Sequence, residues 1–543
     1  MAMKFTEEQL NSFDKSMLIQ LFLNQQEQLE KVSADLHSLD TKMQAMMEQL
    51  ILANKNRFGR SSEKMEDAQQ LRFVEVDGTI VFFNEAEAVC DLEAPEPETL
   101  EPAPERRKKA TGKKAQDMSG LPTNRIDHYM TEEELTAEFG ENGWKQLPDA
   151  ITRRYRFIPA KVEVDEHHVG VYASKTDGHM IKAKHPKSLL HGSPVSASLA
   201  AAVMNGKYVN AVPLYRLEQE FLRYGLAITR QNMANWMIRL GEEYLGTMYD
   251  YLHKLLYDYH VIQADETPVL VNKDGRPAGS QSYMWVYRSG FMYPEKQIIL
   301  YEYQRTRNAF HPREFLKNYS GICVTDGYQV YHTLEKEHED LTIAGCWVHA
   351  RRRFDEALAV VPKERQKESA SYLILKQIQT IYRKEGKLKD LSSEERLSQR
   401  QGAIKPLVDA LFVYLKQHES EVGTEKLKDA FSYALNQEKY LRVFLTDGDV
   451  PMDNNASERA IRGFCVGKKN WQMIDTINGA KSSAIIYSIA ETAKANNLKP
   501  YEYFEHLLTG IPKRMDDSDR SFLDDLLPWS KKLPDVVRKL KKQ

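Results

Sequence analysis

Residues 260–348 carry the pattern that most limits what this chain can fold into. HVIQADETPVLV (260–271), SYMWVY (282–287) and QIILYEY (297–303) each read as a strand, with Asp274-Gly275 and Ser289-Gly290 as turns between them. A helix over 312–319, a short apolar strand over 322–325, another helix and a further buried strand over 342–348 follow. Three successive strands and then alternating helix and strand is the order of a ribonuclease-H-like α/β domain. In that order the first and fourth strands are neighbours at the centre of the sheet.

Asp265 lies within the first strand and Asp326 just past the fourth, so their side chains can converge. A third acid comes from DNNASERAIR (453–462), whose polar start opens a helix presenting Glu458, with Arg459 and Arg462 available for phosphates. Phosphoryl transfer by two divalent ions needs carboxylates on rigid elements, because Mg²⁺ prefers oxygen ligands and binds through few carboxylates plus substrate oxygens. An Asp at a strand end is more often a turn former and a helical Glu usually solvated, so the trio in this order carries the reading and no single acid does.

From Asp326 to Glu458 is 132 residues, against 61 from Asp265 to Asp326. Much of that gap is polar and helical, an insertion between the last strand and the acidic helix. HARRRF (349–354) precedes it with Arg351, Arg352 and Arg353. GKKNWQ (467–472) follows Glu458 and brings Lys468, Lys469 and Trp471, a tryptophan that either stacks on an unpaired base or fills the core. Residues 458–499 hold seven bases against three acids, which makes the neighbourhood of the site basic.

Upstream, Leu18, Phe22, Gln25, Leu29, Val32, Leu36, Leu39, Met43, Met46 and Leu50 alternate steps of four and three, the seam of a coiled coil. Dimerisation, or a higher homo-oligomer, is its expected task. Residues 61–105 then carry a net charge of −11, leaving the rest of the chain at +8, and RRKKATGKK (106–114) closes this stretch with bases only. It reads as a disordered acidic, proline-rich linker ending in a basic patch. Residues 155–172 alternate as a β-hairpin within a small mixed module; adjacent His167 and His168 would point to opposite faces and cannot easily share an ion. From 194 the period turns helical. Leu214, Leu217, Phe221 and Leu222 mark one helix, Gly225 breaks it, and Thr229 caps the next through Leu240. Helix, glycine turn and capped helix is the helix-turn-helix pattern, with Arg230, Gln231, Asn232 and Asn235 on the DNA side and Met233, Trp236 and Met237 inward.

The chain of 543 residues therefore divides as 1–60 coiled coil, 61–120 linker, 121–192 small module, 193–255 helix-turn-helix-like domain, 256–354 with 451–510 catalytic domain, 355–450 helical insertion and 511–543 C-terminal tail. No apolar run approaches the roughly 20 residues of a membrane helix, and the start lacks a signal-peptide pattern. A cytoplasmic, nucleoid-associated protein without membrane contact is expected. Cys90, Cys323, Cys346 and Cys465 stand far apart with no CxxC pair, which argues against a disulfide scaffold and a cysteine-based zinc site.

ADETPVLV, VTDGYQVY, GCWVHARRRF, NNASERAIRGFCVGKKNW and IYSIAETAKANNLKPYEYFEHLLTGIP resemble the transposases of the insertion-sequence-sixty-six family, bacterial enzymes with an Asp-Asp-Glu catalytic domain. The likeness extends to NRFGRSSEK, KYVNAVPLYRLEQEFLRYG and LLPW. It implies Asp265, Asp326 and Glu458 as the acids that hold Mg²⁺ or Mn²⁺, a leucine zipper over the heptads, and companion proteins of the same element as partners. The family commonly has a CxxC zinc finger before the helix-turn-helix; residues 121–192 contain no cysteine, so the module is degenerate and zinc is not expected there. The implied function is a DNA transposase that binds terminal inverted repeats and carries out metal-dependent cleavage and strand transfer into target DNA. A catalytically silent, transposase-derived regulatory protein and a host structure-selective nuclease are the alternatives.

Overall fold

A computed structural model of the chain describes residues 187–539, except 278 and 291, together with 124–126, 128–141, 160–173, 180–184 and the upstream residues 15, 31, 74–76 and 79–81. The expected coiled coil, 1–60, lies outside the described residues apart from Lys15 and Lys31, each of which is helical. The described residues fall into two separate compact units, one holding those between 62 and 166 and the other those at 15, 31 and 167–539.

In the smaller unit, strands Val74–Val76 and Thr79–Val81 pair antiparallel, which corrects the expectation of a disordered linker throughout 61–120. The signal was present: Asp77-Gly78 between two β-branched runs is a two-residue hairpin sequence. A helix Glu132–Phe139 starts at a capping box, in which Thr131 Oγ1 accepts from the Glu134 N–H and the Glu134 carboxylate accepts from the Thr131 N–H.

In the larger unit, residues 167–173 and 180–184 follow the upstream positions 15 and 31. The hairpin expected over 155–172 is displaced: described residues 160–170 form no strand, and the pair is Val171–Ala173 with Met180–Lys182. Alternation alone does not make a strand without a layer to pack on, and Val164 is 91 % exposed.

Helices α1 (Ala197–Met204), α2 (Leu214–Arg223), α3 (Arg230–Leu240) and α4 (Gly246–Leu256) follow. Gly225 ends the α2 turn at φ +84°, a left-handed conformation that suits glycine. Thr229 caps α3 with Asn232 completing the box, and Met233, Trp236, Met237 and Leu240 are buried, as the pattern predicted.

Then come β1 (Val261–Lys273), β2 (Gln281–Ser289), β3 (Ile299–Gln304), α5 (Phe310–Phe315), β4 (Gly321–Thr325), α6 (Gln329–Glu337) and β5 (Leu341–Gly345). The sheet order is β3-β2-β1-β4-β5, with β1–β2 and β2–β3 antiparallel and β1–β4 and β4–β5 parallel. The strand expected to run to Val348 stops at Gly345, because Cys346 is already the first cap of helix α7 (Trp347–Ala359).

Helices α8 (Ala370–Glu385), α9 (Ser393–Gln399), α10 (Lys405–His418), α11 (Glu425–Asn436) and α12 (Glu438–Leu441) make up the insertion. It is not a lobe with a core of its own. Phe412, Phe431 and Phe444 share one apolar cluster with Val261, Ile322, Val324 and Ala344 of the sheet and with Trp347. The expected boundary at 354/355 falls inside α7.

Helix α13 (Asn455–Trp471) then returns to the sheet, and the short strand β6 (Ile474–Thr476) pairs parallel with the far end of β1. Helix α14 (Ile477–Ala495) is buried nearly all round, from Ala480 to Ala493. Its Ser488 and Thr492 hydroxyls accept from the β3 N–H groups of Tyr301 and Ile299 at 2.7 and 2.9 Å, while its Ser482 hydroxyl donates to the Met237 carbonyl of α3 at 2.6 Å. Helix α15 (Pro500–Gly510) lies against α1. The expected tail is part of this core as well: Phe522, Leu523, Leu527, Leu533 and Val537 are buried in it. Among the described residues no helix is long and apolar enough to cross a membrane.

Candidate active site

The parallel register of β1 and β4 sets Val261 against Ile322 and Gln263 against Val324. Two residues further on, Asp265 and Asp326 come level, and the two-residue period keeps them on the face of Gln263 and Val324. That face meets the start of α13. Gln263 and Asn454 are both fully buried there. The Gln263 amide donates to Asn454 Oδ1 at 3.1 Å and to the Asp453 carbonyl at 3.3 Å, and the Asn454 amide donates to the Ala264 carbonyl at 2.7 Å. This clasp seats the first turn of α13 beside Asp265, and Glu458 is one turn further along.

The Asp265 carboxyl accepts the Glu266 N–H at 2.9 Å. Burial, then the charges of Glu266, Asp326 and Glu458, hold it well above the usual carboxylate range. Asp326 accepts the Tyr328 N–H at 2.9 Å, and its own carbonyl accepts the Tyr433 hydroxyl of α11 at 2.8 Å. Between them Gly327 has φ +90°, and a Cβ there would come within 2.7 Å of that hydroxyl, so the Asp326 turn requires glycine. Glu458 is 15 % exposed at its side chain, and its Oε1 is buried without a hydrogen-bond partner. The Arg352 guanidinium stands 4.0 Å from its other oxygen.

Glu266 points to the opposite face. It is held by Arg307, whose Nε donates at 2.7 Å, while burial and the Asp326 charge push its carboxyl up to about 7. Arg307 in turn stacks on Tyr328, 3.7 Å from the ring centre.

Three neighbouring acids in a partly buried site, one with an orphaned oxygen and one raised by burial first and then by the charges of its neighbours, are a donor set suited to a divalent cation. Asp265, Asp326 and Glu458 could therefore hold a divalent cation.

Sequence reasoning missed His349 and Cys346. His349 Nε2 is 3.9 Å from Glu458 Oε1, and its Nδ1 is buried without a partner. Burial lowers the imidazole below its ordinary range. The Cys346 sulfur accepts the Asn454 N–H at 3.2 Å, and burial pushes its thiol up to about 12. Donor atoms of Cys346, His349 and Glu458 all lie within 4.8 Å of one another. The available signal was the Cys-x2-His spacing at the start of a helix, which puts cap and third residue on one turn. From α8, the Tyr382 hydroxyl is also buried without a partner, and burial first, then neighbouring charges including Asp453 and Glu458, holds it un-ionised.

The other expected site residues are dispersed. Arg351 pairs with Asp355 at 3.4 Å, and Arg353 stacks over Tyr433. Arg459 and Lys469 are exposed on α13, and Arg462 is half-buried there. Lys468 donates to the Pro268 carbonyl at 2.8 Å and so ties α13 to β1. Trp471 is half-buried, with the Lys207 ammonium 4.5 Å above its ring and Tyr487 alongside; a stacking base would have to displace Lys207. On α3, Arg230, Gln231 and Asn235 are exposed, whereas Asn232 Oδ1 is engaged by Thr229 in the capping box.

A sequence profile described as "Transposase IS66 family" matches residues 192–482, which include all three acids. One described as "IS66 C-terminal element" matches 488–529, and one described as "Transposase C of IS166 homeodomain" matches 45–124. Two proteins of Sinorhizobium fredii are similar over most of the chain, and both carry the name "uncharacterized protein". The protein y4qI is 28 % identical over 397 residues, covering 71 % of this chain and 72 % of its own length. The protein y4jD is 25 % identical over 401 residues, covering 72 % and 77 %.

Proposed function

The chain belongs to the IS66 family of transposases, and we propose that it binds the terminal inverted repeats of its element and cuts and joins DNA there, with Asp265, Asp326 and Glu458 holding a pair of Mg²⁺ or Mn²⁺ ions. The observation that carries this reading is the register of β1 on β4, Gln263 against Val324, together with the Gln263–Asn454 clasp that seats α13 there; both support Asp265, Asp326 and Glu458 as one cluster. Strand order and direction support a ribonuclease-H-like catalytic domain. The metal pair, when bound, would activate the attacking water or 3′-hydroxyl and stabilise the leaving oxygen.

The chain's own residues do the rest. Gln263 and Asn454 hold the acidic helix on β1, and the Tyr433 bond holds the Asp326 turn. Arg352, Arg459 and Arg462 supply positive charge for the DNA backbone around the acids, and Lys469 extends it to the far end of α13. Arg230, Gln231 and Asn235 at the start of α3 are placed to read base edges. The heptad segment 18–50 would pair protomers so that two ends are held together.

The test is cleavage of a labelled duplex carrying the element's terminal repeat with Mg²⁺ or Mn²⁺. Wild type should cut at the repeat, whereas Asp265→Ala and Glu458→Gln should bind it without cutting. Cutting by either variant would remove that acid from the assignment. Binding without cutting by wild type, with companion proteins of the element supplied, would point to a regulatory DNA-binding protein.

A further inference from the structure

Cys346 and His349 form the one part of the site that oxygen-seeking ions do not explain. Mg²⁺ and Mn²⁺ take oxygen donors, whereas a sulfur, an imidazole nitrogen and a carboxylate oxygen together suit Zn²⁺ and its chemical relatives. Two of the three donor residues have no hydrogen-bond partner at the relevant buried atoms, Glu458 Oε1 and His349 Nδ1. The third, Cys346, is 1 % exposed at the first cap of α7 and holds its sulfur towards the Asn454 N–H. A backbone N–H on sulfur and a helix start both favour the charge that a metal-bound thiolate carries.

We infer that Cys346, His349 and Glu458 form a site for a thiophilic divalent cation, of which Zn²⁺ is the type, and that filling it withdraws Glu458 from the acids that hold Mg²⁺ or Mn²⁺. The donor atoms lie within 4.8 Å of one another, and a tetrahedral site asks for separations of about 3.5 Å. Binding would draw the donors together by side-chain rotation of His349 and Glu458. On binding, the Cys346 S–H bond breaks, its proton goes to solvent and an S–metal bond forms. Arg352, 4.0 Å from Glu458, opposes the ion, and the thiolate and carboxylate charges offset it. One soft sulfur, one borderline imidazole nitrogen and one shared hard carboxylate make the site selective: it discriminates against the ions that the three acids prefer. The chain would then be held inactive by zinc. That regulatory half rests on the function proposed above; the binding half does not.

The experiment uses the full chain and reads binding directly. Zn²⁺ is titrated against a chromogenic chelator, and Co²⁺ is added separately to look for the thiolate charge-transfer band in the near ultraviolet. Wild type should take up the ion with that band. Cys346→Ser should lose the band, and His349→Gln should weaken Zn²⁺ binding by about tenfold or more, since even outer-shell partners of a metal carry that much. Asp265→Asn, which lies outside the donor set, should bind Zn²⁺ as wild type does. Circular dichroism checks that each variant is folded, and His349→Gln, at a partly exposed position, is the second line should Cys346→Ser not fold. Absence of the band in wild type, Zn²⁺ binding unchanged by His349→Gln, or its loss in Asp265→Asn would each overturn the site. For the regulatory half, Zn²⁺ should suppress Mg²⁺-supported cleavage by wild type at concentrations that leave Cys346→Ser active. A chain that binds Zn²⁺ as described but never cuts DNA would refute the proposed function while leaving the zinc site standing.

Discussion

Replacing Asn454 by alanine should loosen one particular joint of the site. The side chain is fully buried and makes two bonds to β1: its amide donates to the Ala264 carbonyl at 2.7 Å, and its Oδ1 accepts from Gln263 at 3.1 Å. Alanine leaves the Ala264 carbonyl without that donor, at about 1–3 kcal/mol for an orphaned buried group, and removes a neutral bond worth about 1 kcal/mol from Gln263. Gln263 keeps its bond to the Asp453 carbonyl, so the second loss is partial. The sum, about 2–4 kcal/mol, falls on the contact between β1 and the first turn of α13. At 1.4 kcal/mol per tenfold, local opening there should become about 30- to 700-fold more frequent. Hydrogen exchange followed by mass spectrometry reads this directly, in peptides covering 261–267 and 455–464, and Lys469→Ala on the exposed far end of the same helix is the control. A folded Asn454→Ala protein whose exchange in both peptides matches wild type would refute the idea that the amide pair holds the acidic helix in place.

Other perturbations address separate parts of the chain. The Glu302 carboxyl on β3 is pushed up to about 7 by burial, from an ordinary 4.5. Its folded value lies above its unfolded one, so its stabilising share is complete below about pH 4.5 and is lost as pH rises through 7, to the extent of about 3 kcal/mol. Glu302→Gln should therefore gain on wild type between pH 5 and pH 8 in urea unfolding, and parallel pH profiles would show that the carboxyl is not buried as described. Phe464 is fully buried between Tyr301 and Tyr487; its replacement by alanine should cost about 3–5 kcal/mol, and a loss below about 1 kcal/mol in urea unfolding would contradict that packing. Arg230→Ala and Gln231→Ala should each weaken binding of the terminal repeat by about 1–3 kcal/mol and relax its sequence preference. Unchanged affinity and preference in both would exclude α3 as the reading helix.

Much of the catalytic half was legible because its signals are local. Strands of period two, glycine turns and a polar helix start placed Asp265, Asp326 and Glu458 on the elements where the structure has them. What was illegible depends on contacts between distant residues. Nothing near Gln263 announces Asn454, 191 positions away, and they face each other only once the start of α13 is seated on β1. Cys346 and His349 were passed over because each alone is an ordinary residue, and their relation to Glu458 exists only once α7 and α13 are set side by side. The hairpin at 171–182 was misplaced because alternation says nothing about which segment finds a partner strand. The C-terminal segment looked like a tail since its apolar residues are few and scattered, yet Leu527, Leu533 and Val537 each reach the core.

Helix α14 has a bearing on where DNA would be cut. One side of it is bonded to the sheet through Ser488 and Thr492, and Ser482 bonds it to α3. A single rod thus stands between the helix proposed to read the repeat and β3, the outer strand of the sheet whose central strands lead to Asp265 and Asp326. On the proposed function this makes the protein a ruler: the number of base pairs from recognised sequence to broken bond is built into its core. Lengthening the repeat-to-end spacer by a few base pairs should then abolish cutting rather than shift it, whereas an enzyme with tethered modules would tolerate the change.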